Sequence, residues 1–62
     1  MNSISLLIAD DDSAIREQLH SFFSEFYFKV YTASTEDEIF YILDNFSIDI
    51  LVLDYLIPKS NG

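Results

Sequence analysis

The sequence predicts an α/β fold: a parallel β-sheet with helices on both faces, in the order β-α-β-α-β. Three observations predict it. The runs 4–9, 28–33 and 48–53 are apolar and strand-sized. The two stretches between them carry apolar residues at helical spacing. Strands that alternate with helices imply right-handed crossovers, and hence a parallel sheet.

The first run, Ile4-Ser5-Leu6-Leu7-Ile8-Ala9, is nearly continuous, as befits a strand buried on both faces. It stops abruptly at Asp10-Asp11-Asp12. Ile15, Leu19, Phe22, Phe23 and Phe26 then lie on one helix face, with Asp12 or Ser13 as N-cap, and the aromatic group Phe22, Phe23, Phe26, Tyr27 and Phe28 is expected to be mostly core. Phe28 to Ala33 is β-branched and aromatic, a second strand. Thr35-Glu36-Asp37-Glu38 is a capping-box pattern, with Thr35 as cap and Glu38 reaching back. Its acids also suit the positive end of a helix dipole. Ile39, Ile42, Leu43 and Phe46 form the buried stripe of that second helix. Ile48 to Leu53 is the third strand, ending at Asp54, and residues 55–62 read as a loop with Pro58 and Asn61-Gly62 as turn signals. Two helices cannot cover three strands fully, so the third strand is expected to lack cover and the sequence looks cut off.

Composition excludes several function classes. Half of the 62 residues are hydrophobic, too many for a disordered acidic tail. Without cysteine there is neither a disulfide framework nor a zinc finger. The formal charge of −8 argues against a nucleic-acid surface, since phosphate contacts need Lys and Arg, and only Arg16, Lys29 and Lys59 are present. No apolar run is long enough for a membrane span, and Met1-Asn2-Ser3 is not a basic signal-peptide start, so a cytoplasmic setting is expected. A chain of this size buries only about 60% of its unfolded surface. Small stable domains usually add a disulfide, a metal or a partner. With no disulfide possible, a metal, an assembly or a larger parent is expected.

The strongest functional signal is geometric. Asp10 and Asp11 leave the first strand, and Asp54 leaves the third, at C-terminal ends that share one sheet edge. If the strand order is 2-1-3, those strands are neighbours, about 4.8 Å apart. The crevice between them is the switch point where open α/β sheets bind ligands. Two unit charges about 5 Å apart repel by about 3 kcal/mol at an effective dielectric near 20, so such a cluster takes up protons or a cation. An all-oxygen site with few protein ligands suits Mg²⁺. A carboxylate beside Mg²⁺ can also act as a nucleophile towards phosphorus.

Leu6-Leu7-Ile8-Ala9-Asp10-Asp11-Asp12-Ser13 and Asp54-Tyr55-Leu56-Ile57-Pro58-Lys59-Ser60-Asn61-Gly62 together resemble the receiver domains of two-component response regulators. The pattern is an apolar strand ending in an acidic pair, then a later strand ending in Asp and followed by x-x-(apolar)-Pro-x-x-x-Gly. The resemblance implies the N-terminal part of a flavodoxin-like domain with strand order 2-1-3. It implies that Asp54 is the phospho-acceptor, that Asp11 ligates Mg²⁺ directly and Asp10 mainly through water, and that the Leu56 carbonyl completes the protein ligands. Pro58 and Gly62 would shape the loop. The family also uses a Ser or Thr after a fourth strand and a Lys after a fifth, and Lys59 is not that Lys. This segment alone is therefore expected to be poorly competent. Tyr27 stands where the family often has Gly, and Ile39 where it often has a small residue. The implied partners are a sensor histidine kinase or phosphotransfer protein, and an effector domain beyond the C-terminus.

Plainer readings compete at several positions. Asp12 is expected to be a helix cap, Asp49 a solvated strand start, and Glu36, Asp37, Glu38 and Asp44 a solvated helix face. His20 is expected at the surface. Asp10-x-Asp12 loosely resembles the nucleophile motif of haloacid dehalogenase-type phosphohydrolases, but that reading leaves Asp54 and the Pro58 and Gly62 pattern unexplained. As a fragment, the chain is also expected to form a homo-oligomer through the open edge of its third strand.

Overall fold

The structure, a computed structural model, describes residues 4–26 and 29–54. Strand β1 (Ser5–Ala9), helix α1 (Ser13–Ser24), strand β2 (Lys29–Ala33), helix α2 (Glu36–Asn45) and strand β3 (Ile50–Leu53) follow in that order. The sheet is parallel throughout, with β1 in the centre and the order β2-β1-β3. Phe28, expected to open β2, lies outside the described residues, as do Tyr27, Leu56, Pro58, Lys59 and Gly62.

Register sets the two faces. Leu7 pairs with Tyr31 and Leu51, and Ala9 with Ala33 and Leu53. Side chains alternate along a strand, so Leu6, Ile8, Val30 and Thr32 lie on the opposite face. Leu6, Leu7, Ile8 and Ala9 are all buried, as a central parallel strand requires. On one face Ile39 and Ile42 of α2 close over Leu7, Ala9 and Ala33, with Tyr31 and Ile48 packed alongside. The rings of Tyr31 and Phe46 stack against each other at 4.8 Å.

Three expectations need correction. The stripe of α1 does not become core: that helix has no buried residue, and Ile15, Phe22 and Phe26 are exposed. It lies against β1 and β2, which offer cover to only part of a five-residue stripe. Leu19 and Phe23 are half-buried, and Phe22 sits 5.1 Å from the rings of both Phe23 and Phe26. In α2, Leu43 and Phe46 are exposed although they belong to the expected stripe. The third strand begins at Ile50 rather than Ile48. Asp49 closes the pairing instead: its N–H donates to the Ser5 carbonyl (2.9 Å), and its carboxylate accepts the Ser5 N–H (2.8 Å). The expected lack of cover on β3 is met, with Ile50, Leu51 and Leu53 all exposed.

Candidate metal centre

The central strand runs out at Ala9, and the hydrogen-bond ladders run one residue further on both sides. The Asp10 N–H donates to the Ala33 carbonyl (3.0 Å), and the Asp54 N–H donates to the Ala9 carbonyl (2.9 Å). Asp10 and Asp54 therefore stand side by side at the C-terminal edge, each continuing a strand. Asp11 comes next as the chain turns towards α1. One carboxylate oxygen from each of Asp10, Asp11 and Asp54 lies within 4.8 Å of the others. Asp10 and Asp54 are half-buried and Asp11 is exposed.

The turn is shaped by its own side chains. Asp10 Oδ1 accepts the Asp12 N–H (2.9 Å). Asp12 in turn caps α1, its Oδ1 accepting from the N–H groups of Ala14 (2.9 Å) and Ile15 (3.3 Å). This is the expected cap, and it directs the third acid of the run to helix α1, whereas the triad is made by Asp10, Asp11 and Asp54. Three hard carboxylate donors at this separation fit a hard divalent cation. Asp10, Asp11 and Asp54 would hold such an ion, and Mg²⁺, which takes oxygen ligands and keeps several waters, suits so few protein donors.

Arg16 is the residue at this edge that sequence reasoning missed. Its Nη1 donates to the Asp10 carbonyl (2.8 Å). The Arg16 N–H makes the first helical bond to the Asp12 carbonyl, and helix side chains lean towards the N-terminus, so its side chain reaches back to the tip of β1.

The neighbouring helix start is built in a related way. The Thr35 hydroxyl accepts the Glu38 N–H (3.3 Å), the expected cap. Glu38 reaches back as expected, but chiefly one residue beyond the cap: its Oε1 accepts the Ser34 N–H (2.7 Å) and the Ser34 hydroxyl (3.0 Å). These two bonds hold its carboxyl below the usual carboxylate range, with the Arg16 guanidinium and the Thr35 backbone adding to the effect. His20 is exposed, as expected.

Comparison with known proteins agrees with this geometry. Residues 6–62 match the family model for the response regulator receiver domain. The chain is 37% identical over 57 residues to a probable transcriptional regulator ycf27 of Cyanidium caldarium, covering 92% of this chain and 23% of that relative. It therefore spans about a quarter of the length of the curated relative it matches. No solved structure matches it. With strand order, acidic triad and sequence match in agreement, the chain belongs to the response regulator receiver domain family.

Proposed function

We propose that Asp54 accepts a phosphoryl group from a phospho-histidine on a sensor kinase or phosphotransfer protein, with Mg²⁺ held by Asp10, Asp11 and Asp54. One observation carries this reading: the three carboxylates converge at the sheet edge, within 4.8 Å of one another. A carboxylate oxygen of Asp54 attacks phosphorus, the P–N bond to the donor ring, protonated on its other nitrogen, breaks, and neutral imidazole leaves. The product is a mixed anhydride on Asp54. An ion held by these three carboxylates would offset the negative charge of the phosphoryl group. The chain itself supplies placement. The Ala9 carbonyl fixes the Asp54 backbone, the Ala33 carbonyl fixes that of Asp10, and the Asp12 N–H fixes the Asp10 carboxylate. The Leu56 carbonyl, Pro58 and Gly62 belong to the proposal through the family pattern, as do a downstream effector domain and a cytoplasmic setting.

The role is regulatory. The family's hydroxyl and lysine positions fall on strands beyond those described, so we read residues 1–62 alone as weakly competent. Labelling by acetyl phosphate belongs in the intact gene product. Expected is a mass gain of one phosphoryl group with Mg²⁺, lost with chelator and lost in Asp54→Asn. Labelling that persists in Asp54→Asn and disappears in Asp10→Asn would instead favour the phosphohydrolase reading, with Asp10 as the nucleophile. Self-association of the isolated chain through β3 is a proposal of the same kind. A monomer by light scattering at micromolar concentration would end it.

A further inference from the structure

We infer that Arg16 is a positioning residue for the divalent-cation site, holding the Asp10 carbonyl so that the Asp10–Asp11 peptide keeps both carboxylates turned towards Asp54. The inference rests on the metal-site reading above and deepens it.

Asp10 is held at three points. Its N–H is bound by the Ala33 carbonyl, its Oδ1 by the Asp12 N–H, and its carbonyl by Arg16 Nη1 at 2.8 Å in a half-buried contact. The first two fix the residue and its side chain. The third fixes the peptide unit that leads into Asp11. A peptide unit is planar, so a held carbonyl also sets the Asp11 nitrogen and the axis about which Asp11 turns. Asp11 is the exposed member of the triad and stands beyond the strand ladder, so it has most to gain from such a hold.

Arg16 is itself anchored at both ends. Its backbone N–H is in the first turn of α1, bonded to the Asp12 carbonyl at 3.0 Å. Its guanidinium is held by the Asp10 carbonyl at 2.8 Å. The side chain thus ties the tip of β1 to the start of α1. The rigid planar fork of Arg suits this task, whereas the ammonium of Lys is a single mobile point.

Charge and position make opposite demands here. A guanidinium near a cation site repels the cation, so removing it for charge alone should tighten Mg²⁺ binding. If Arg16 acts by position, removing it weakens binding. The experiment is a MgCl₂ titration of the intact gene product, followed by the Asp11 amide resonance. The native chain is compared with Arg16→Gln, Arg16→Lys and Asp54→Asn, with circular dichroism as the check on folding. Loss of one such hydrogen bond is worth roughly a threefold to tenfold weakening in Arg16→Gln, with Arg16→Lys between it and the native chain.

Native-like or tighter affinity in a folded Arg16→Gln overturns the inference and leaves the metal site standing. A native chain that titrates no differently from Asp54→Asn overturns the metal-site reading, and the inference with it. Should Arg16→Gln fail to fold, Arg16→Lys decides: a clear loss of affinity supports positioning, and unchanged affinity overturns it.

Discussion

Helix α2 buries Ile39 and Ile42, whereas helix α1, two residues longer and with a broader apolar stripe, buries nothing. The difference comes from the sheet face beneath each. Under α2 the register pairs Ala9 with Ala33, a floor of small residues that lets the helix approach and close over Leu7. The other face presents Leu6, Ile8, Val30 and Thr32, all larger than alanine. Apolar spacing therefore marks which face of a helix can be covered. The partner surface decides how much of it is.

The largest expected effect breaks this contrast at its buried side. Leu7 is wholly inaccessible, and Leu7→Ala should cost about 2–5 kcal/mol, which in a chain this small removes most or all of the folded signal. Phe22→Ala on α1 should cost only about 1 kcal/mol, mainly its ring contacts with Phe23 and Phe26. Urea unfolding followed by circular dichroism measures both. If Phe22→Ala proved as damaging as Leu7→Ala, the outer stripe of α1 would be covered in solution, and the contrast between the helices would belong to the isolated chain alone.

Effects of intermediate size come from the two helix starts. Asp12→Ala removes an acceptor shared by two N–H groups and should cost about 1 kcal/mol. Thr35→Ala removes one longer bond and should cost less, at the lower end of the roughly 0.5–2 kcal/mol range for caps. Urea midpoints order the two. Asp12→Ala keeps the backbone N–H that holds Asp10 Oδ1, so a parallel Mg²⁺ titration should show nearly native affinity. A large loss of affinity would place the Asp12 carboxylate in the metal site and revive the Asp10-x-Asp12 reading.

Element order and the three acids were legible in the sequence from local pattern, and strand order came from the receiver-domain resemblance. The run Ile4 to Ala9 suits a strand buried on both faces, and its tip meets that of the third strand once the order is 2-1-3. Burial of Ile15, Phe22 and Phe26 was not legible. The spacing rule assigns a face without reporting which surface packs against it. Arg16 was missed for a related reason: its target is a backbone carbonyl, which leaves no trace in residue types. The hold of Glu38 on Ser34 lay one residue beyond the capping-box pattern, which specifies the cap itself and not the residue before it.

The smallest expected effect concerns that last contact, and it sharpens the difference between the helix starts. Only α2 has acids in its first turn, and one of them, Glu38, is tied back to Ser34. Its folded-state pKa is lowered, first by the Ser34 N–H, then by the Ser34 hydroxyl, with Arg16 and the Thr35 backbone also contributing. The sign comes from linkage. A carboxyl that binds its proton less readily when folded contributes stability above its unfolded pKa, and that contribution fades as pH falls through the folded pKa. Glu38 is largely solvent-exposed, so screening keeps the contribution small. Unfolding midpoints should therefore fall on acidification through the carboxylate range, and Glu38→Gln should flatten part of that fall. A Glu38→Gln profile parallel to the native one at every pH would show that the Ser34 contact adds nothing to the folded state. Helix α2 would then owe its start to Thr35 alone, as α1 does to Asp12.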